Sequence, residues 1–312
     1  MNENFIKLKK ANLGYGHDEK HIVLNDINID FLPGTITAIV GPNGAGKSTL
    51  INSIVGVLPP LSGKIEFKVT NDLNQPNFNK VGFCPQVPLI DWFTSVKNNV
   101  ILGPLLSGKT LKKSHKLSIS AMKQMQIYDL RNRPMDHISG GQQQRVQIAR
   151  ELAKNPDVFI LDEPTTGLDV YSSEKLFKFL KTKSIAGSIV IISSHDLTIV
   201  EEYADKIVLI GNNKVKFNGL MSEFIQKGAR NKLVEITPKS GNFSQVVKQS
   251  VSTFKESDNG NLIINFSEFE KFMNVAEKNN EVIDYISMQQ KKSTRYLSRY
   301  EFGEVSDGSI KF

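Results

Sequence analysis

Nine consecutive residues, Gly41-Pro42-Asn43-Gly44-Ala45-Gly46-Lys47-Ser48-Thr49, follow the spacing G-x-x-x-x-G-K-[ST]. Glycines in such a loop let backbone N–H groups converge on an anion with no side chain in the way, and a helix starting at the loop adds the positive end of its dipole. Lys47 is then placed to reach the β- and γ-phosphates of ATP, and the Ser48 hydroxyl to hold Mg²⁺. A chance glycine-rich turn is the competing reading. The strand expected before the loop and the helix expected after it weigh against that.

Two further groups complete a reaction. Asp162 and Glu163 end the apolar run Val158 to Leu161, at the sheet edge where ligands of open α/β folds collect. Asp162 is placed to hold the metal through water, and Glu163 to act as general base on an attacking water. Alone, such a pair is more often a helix cap or a solvated turn. Ser139-Gly140-Gly141-Gln142 opens a helix through Val146, Ala149 and Ala153 that Asn155-Pro156 stops. Ser139 could be only an N-cap, but the glycines behind it expose N–H groups at the positive helix end, a second anion site.

Several elements must position these groups. Up to about residue 220, short apolar runs alternate with helical periods, as in an α/β domain on a mostly parallel sheet. Leu24 to Phe31 puts Ile27, Ile29 and Phe31 at period two, as in a half-buried antiparallel strand, before the Pro33-Gly34 turn. Thr35 to Val40 runs directly into the glycine loop, and Leu50, Ile51, Ile54 and Val55 mark one face of a helix ending at Gly56. Val158 to Leu161 and Ile189 to Ile192 are apolar throughout and are expected in the middle of the sheet. Val87 to Arg133, with a helix over Leu117 to Leu130, reads as a helical insertion away from that sheet. From Met221 the order is strand 232–236, helix 243–251, strand 252–255, strand 261–266, helix 268–277 and strand 282–288, a β-α-β-β-α-β pattern that predicts a small ferredoxin-like α+β extension.

The 312 residues exceed one average domain, and a hydrophobic fraction of 39% with 23% charged residues is ordinary for a soluble protein. No run nears the roughly 18 to 20 apolar residues that span a bilayer. The start, MNENFIKLKK, lacks the pattern of a secretory signal, and the single cysteine, Cys84, has no intrachain partner, so a cytoplasmic location is expected. The net charge of +7 suits nucleic acid or an anionic membrane, but the basic residues are scattered, as on a solvated surface.

From residues 5 to 220 the sequence resembles the nucleotide-binding subunits of ATP-binding cassette (ABC) transporters. The resemblance rests on GPNGAGKST at 41–49, Gln86 in FCPQ, ISGGQQQR at 138–145, VFILDEP at 158–164, TGLD at 166–169 and His195 in SSHD. Ile138 stands where the family more often has leucine. The resemblance implies a P-loop NTPase mixed sheet with an antiparallel N-terminal part and a helical subdomain at about 87–155, followed by the extension at 221–312. It also implies head-to-tail pairing with a second ATP-binding subunit, identical or different. Ser139 and Gly141, with Gly140 and Gln142 in the same signature, then close over the partner's ATP, and Asp169 links the two sites. Under it Tyr15 stacks on adenine, Gln86 binds Mg²⁺ or the attacking water, and His195 touches the γ-phosphate. Taken alone, His195 is an ordinary strand-end histidine, Asp169 a helix cap and Tyr15 an exposed turn residue.

The function so implied is a motor subunit on the cytoplasmic face of the membrane, peripheral to a separate transmembrane permease that Val87 to Leu106, with Trp92-Phe93, would meet. Those rings could equally be local core. A soluble cassette acting on nucleic acid or ribosomes is the second class; it usually brings two cassettes, a coiled coil or zinc cysteines, and no nucleic-acid partner is expected. A P-loop kinase or GTPase has no need of the second site at Ser139. The tail, with Lys291 to Leu297, resembles in layout the extension of drug, antibiotic and polysaccharide exporters and favours export. Asp91 to Val100 resembles importer cassettes for nitrate or sulfonates, the alternative.

Overall fold

The structure, a computed structural model, describes residues 4–16, 21–69, 72–73, 79–194, 197–229, 233–239, 243–251, 254–256, 260–265, 268–281 and 283–289. The chain forms two compact units, Met1–Leu220 and Met221–Phe312. The first opens with β1 (Phe5–Tyr15), β2 (His21–Phe31), β3 (Ile36–Val40), α1 (Lys47–Ile54), β4 (Ser62–Val69), β5 (Asp72–Leu73) and β6 (Val81–Cys84). The helices α2 (Val96–Leu106), α3 (Leu111–Gln124) and α4 (Gly140–Ala153) come next. It closes with β7 (Val158–Leu161), α5 (Val170–Ile185), β8 (Ile189–Ser193), α6 (Leu197–Tyr203), β9 (Lys206–Gly211) and β10 (Lys214–Leu220).

Two sheets share one core. The order β2-β1-β4-β5 is antiparallel throughout, and β2 buries Ile27, Ile29 and Phe31 while Asp26 and Asn28 on either side of Ile27 are exposed, as its period-two pattern requires. The second sheet runs β10-β9-β3-β8-β7-β6 and is parallel except for the edge strand β10. Its inner strands β3, β7 and β8 are buried at every position. The middle places belong to β3 and β8. β7 lies one strand further out than expected, because β6 is the neighbour that closes the sheet. Helix α1 packs Leu50, Ile51, Ile54 and Val55 between Ile6 and Leu8 of the first sheet and Ile39, Ile160 and Ile191 of the second. Burial of each such side chain stabilises by roughly 1.5–3 kcal/mol.

The insertion is helical as expected, with two differences. Its second helix starts earlier than Leu117 because Thr110 caps it, accepting from Lys113 N at 3.4 Å. It ends at Gln124, two residues before the left-handed Gln126 (φ 56°), and a short 3₁₀ turn over Tyr128–Leu130 follows. Glu151 of α4 accepts from Phe83 N of β6 at 3.3 Å, so α4 is fastened to the sheet edge. Helix α2 crosses α4 so closely that a Cβ on Gly103 would lie 2.2 Å from Arg150 O. Trp92 and Phe93 are 51% and 98% exposed, so these rings are not local core.

In the second unit, α7 (Met221–Ala229) precedes β11 (Leu233–Pro238), α8 (Gln245–Lys248), β12 (Phe254–Glu256), β13 (Leu262–Asn265), α9 (Phe269–Lys278) and β14 (Ile283–Gln289). The strands pair antiparallel in the order β12-β13-β11-β14, the arrangement of a ferredoxin-like double βαβ. Ile236, Val247, Leu262, Ile264 and Phe272 form its core, with Phe243 edge-on to Phe272 at 5.3 Å. The helix expected over 243–251 shrinks to four residues because the chain turns at Gln249 and Ser250, where Ser250 Oγ donates to Val247 O at 2.6 Å. Lys291 to Leu297 lies outside the described residues. Among the described residues no helix is long and apolar enough to cross a membrane.

The close crossing at Gly103 leads to a direct test of packing. Gly103→Ala should destabilise the chain by about 1–3 kcal/mol through overpacking against Arg150 O, read as a lower midpoint in urea with an unchanged slope.

Candidate functional site

Parallel register brings the chemistry together. Cys84 pairs with Leu161, Leu161 with Ile192, and Ile39 with Ser193, so β6, β7, β8 and β3 end side by side. The residues that follow, Gln86, Asp162, Glu163, Ser194 and Gly41, therefore emerge at a single carboxyl edge.

The glycine loop leaves β3 at Gly41, where a Cβ would lie 2.5 Å from Ile210 O of β9. Ala45 N donates to Pro42 O at 3.2 Å, which closes the loop's turn over Asn43 and Gly44. Gly46 takes φ 102° and caps α1 with no side-chain hydrogen bond, so the first N–H groups of α1 keep the orientation that suits an anion. A cavity of about 470 Å³ opens there, lined by Tyr15, Val23, Asn43, Gly44, Gly46, Lys47, Ser48, Thr49, Gln86 and Glu163. Its size and polar floor suit a triphosphate. Lys47 is buried; its Nζ donates to Gly41 O at 2.8 Å and Pro42 O at 3.1 Å and lies 3.8 Å from Glu163 Oε1. Tyr15 stands half-exposed at the mouth, its hydroxyl 3.2 Å from Thr49 Oγ1.

Glu163 is 4% exposed and holds a left-handed backbone (φ 49°), an uncommon state for a non-glycine residue that costs of order 1–3 kcal/mol. Its N–H donates to Ser193 Oγ at 2.8 Å, and Ser193 Oγ in turn donates to Asp162 Oδ1 at 2.5 Å. One buried hydroxyl thus fixes the backbone of one carboxylate residue and the side chain of the other. Asp162, 3% exposed, sits behind the cavity wall and is not among its lining residues. His195 lies outside the described residues.

The residues expected to form a second anion site stand elsewhere. Ser139 and Gly140 are exposed, and none of Ser139, Gly140, Gly141 or Gln142 lines the cavity. Ser139 caps α4 in a reciprocal box: its Oγ accepts from Gln142 N at 3.4 Å while its N–H donates to Gln142 Oε1 at 3.0 Å. The two glycines differ: a Cβ on Gly140 meets nothing within 4 Å, whereas one on Gly141 would lie 2.2 Å from Gly167 O. Asp169 caps α5, accepting from Ser172 N at 2.8 Å and Ser172 Oγ at 2.9 Å. Those two bonds hold its carboxyl below the ordinary carboxylate range.

A mixed parallel sheet with a glycine phosphate loop, a buried Asp-Glu pair at the next strand end, a helical insertion and a separate capped Ser-Gly-Gly helix start defines a nucleotide-hydrolysing cassette. Comparison with known proteins agrees. The ABC transporter family profile matches residues 24–166. The chain is 34% identical over 222 residues to the energy-coupling factor transporter ATP-binding protein EcfA of Methanococcus maripaludis, covering 69% of this chain and 80% of that protein. It is 34% identical over 218 residues to the manganese transport system ATP-binding protein MntB of Bacillus subtilis, covering 68% and 85%. A solved dimeric ATP-binding cassette in a post-hydrolysis state with ADP and Pi superposes with a TM-score of 0.63 at 26% identity, covering 69% of this chain and 98% of that one. This chain belongs to the ABC transporter family as an ATP-binding subunit, and it is an ATPase.

Sequence reasoning missed Val23 in the cavity wall, Ser193 between the carboxylates and Gly167 beneath Gly141. Ser193 left a faint signal as a polar residue closing an otherwise apolar strand. Ser193→Ala should remove a donor from the buried Asp162 and an acceptor from Glu163 N–H. It should lower stability by about 1–3 kcal/mol, measured by urea unfolding.

Proposed function

We propose that this subunit works in a head-to-tail pair, in which the α4 start of one chain closes over ATP held by the Gly41 to Thr49 loop of the other. The observation that carries this reading is the exposed, capped Ser139–Gly140 start lying off the cavity that Lys47 and Glu163 share. Anion-binding N–H groups in that position have no phosphate of their own chain to meet.

In the shared site Lys47 leaves the loop carbonyls for the β- and γ-phosphates, Asn43 to Thr49 supply backbone donors, and the Tyr15 ring packs on the adenine. The oxygen donors of Ser48 and Gln86 at the cavity and Asp162 behind it suit Mg²⁺, which takes few protein ligands beside phosphate and water. When bound, that ion neutralises charge on the β- and γ-phosphates. Glu163 takes a proton from water as the water oxygen bonds to the γ-phosphorus. The bond from that phosphorus to the β–γ bridging oxygen breaks, its electron pair leaving with ADP, and phosphate is released. His195 would orient the water, Ser139, Gly140 and Gly141 would meet the γ-phosphate from the partner, with Gln142 holding their cap, and Asp169 would link the two sites.

The pair drives a transmembrane permease from the cytoplasmic face, and the exposed Val87, Leu89, Trp92 and Phe93 form the surface offered to it. An exposed apolar patch of this kind marks a protein contact. Import is the direction we favour: the relatives named above serve an energy-coupling factor transporter and a manganese transport system. Export of a drug or antibiotic, the reading drawn from the layout of the tail, finds no support in those relatives.

Three experiments test this. Glu163→Gln should keep ATP binding and lose about 10²–10⁴-fold in turnover, the usual range for a general base; unchanged hydrolysis removes Glu163 from that role. Mixing inactive Lys47→Ala chains with inactive Ser139→Arg chains should restore part of the activity, because each mixed dimer regains one intact shared site. Activity at the wild-type level would defeat that arrangement. For direction, the subunit with its permease is placed in vesicles with the cassette and ATP outside. Import predicts ATP-driven loss of cargo from the lumen, and export predicts accumulation.

A further inference from the structure

One face of α4 grips the segment that carries Gln86. Gln147, Arg150, Glu151 and Lys154 recur at helical spacing along that face, and all four reach β6 or the chain just after it, Lys154 through a bond from Nζ to Val81 O at 3.5 Å. Gln147 is fully buried and uses both ends of its amide: Nε2 donates to Pro85 O at 3.0 Å, and Oε1 accepts from Leu89 N. Its two contacts thus fall on either side of Gln86. Arg150 adds a bond from Nη1 to Leu89 O at 2.6 Å, and its Nε donates to Glu151 Oε1 at 3.0 Å. Glu151 in turn accepts from Phe83 N at 3.3 Å and pairs with Lys154 at 2.5 Å. Downstream, buried Asn99 holds Asp91 through its N–H at 2.8 Å and its carbonyl at 2.9 Å. The backbone is therefore held at residues 83, 85, 89 and 91, and between the middle two Gln86 lines the cavity.

We propose that Gln147 is a positioning residue that sets Gln86 at the nucleotide cavity and ties its placement to the helix that presents Ser139. A buried amide bonded at both ends is costly to leave half-satisfied, which fixes the separation of Pro85 and Leu89 and with it the arc between them. A tilt of α4 is then passed to Gln86 through two hydrogen bonds and the Arg150 contact. Closing of the second anion site and placement of Gln86 become a single motion, since Ser139 is the N-cap of that same helix. The proposal rests on the reading that Gln86 serves hydrolysis.

The test uses the full chain and three variants, Gln147→Met, which keeps length and loses both hydrogen bonds, Gln86→Ala, and the double variant. Gln147→Met should lower kcat about 10- to 100-fold, the scale expected for a misplaced group, with the KM for ATP within a factor of about three. The double variant should be no slower than Gln86→Ala, because residues that act through one another are not additive. Trp92, the single tryptophan, directly follows the held segment, and its quenching by acrylamide should change in Gln147→Met. If Gln86→Ala alone has wild-type kcat, the reading of Gln86 falls and the proposal with it. If Gln86→Ala is impaired but Gln147→Met is not, or the losses multiply in the double variant, the positioning role is overturned alone. Should Gln147→Met fail to fold, Arg150→Lys, which keeps a cation beside Glu151 and gives up the fixed reach to Leu89 O, carries the same expectations.

Discussion

Parallel hydrogen bonding among β3, β8, β7 and β6 puts four strand ends level with one another, and the site depends on that register. A slip of one residue in β7 would turn Asp162 toward the opposite face and move Glu163 along the edge by about 3.3 Å. Register is secured from inside: Ile39, Ile160 and Ile191 share one buried cluster with α1, so the apolar pattern that stabilises the sheet also aligns the carboxylates with the phosphate loop. Ser193 completes the alignment by bonding both residues after β7.

The same economy governs the loop. Lys47 rests on the carbonyls of Gly41 and Pro42 and faces Glu163, so a buried cation has partners before any phosphate arrives. A buried charge without partners would carry a large desolvation cost. On the proposed reading, phosphate binding exchanges one set of oxygens for another instead of creating charge contacts from nothing.

What was legible in the sequence was whatever is local. The loop at 41–49, the cap at Ser139 and the strand ending in Asp162-Glu163 each declare themselves within a few residues, because turn geometry and helix capping depend on neighbours in the chain. The order of the strands and the grip of α4 on residues 83–89 were not legible, since they depend on partners that no local pattern names, in the grip's case about 60 residues away. The misplaced start of α3 came from following the apolar pattern alone: Thr110 and Ser114 are both capping residues, and the fold uses Thr110, whose Oγ1 accepts from Lys113 N.

Adjacent glycines 140 and 141 look equivalent as letters in a motif, yet the folded chain treats them differently. Gly141 has no room for a methyl group beneath Gly167 O, so any substitution there is first a folding lesion. Gly140 faces open space, and a demand for glycine at that position must come from outside this chain. A substitution at Gly141 thus reports on the protein's own architecture, and one at Gly140 on whatever approaches that surface.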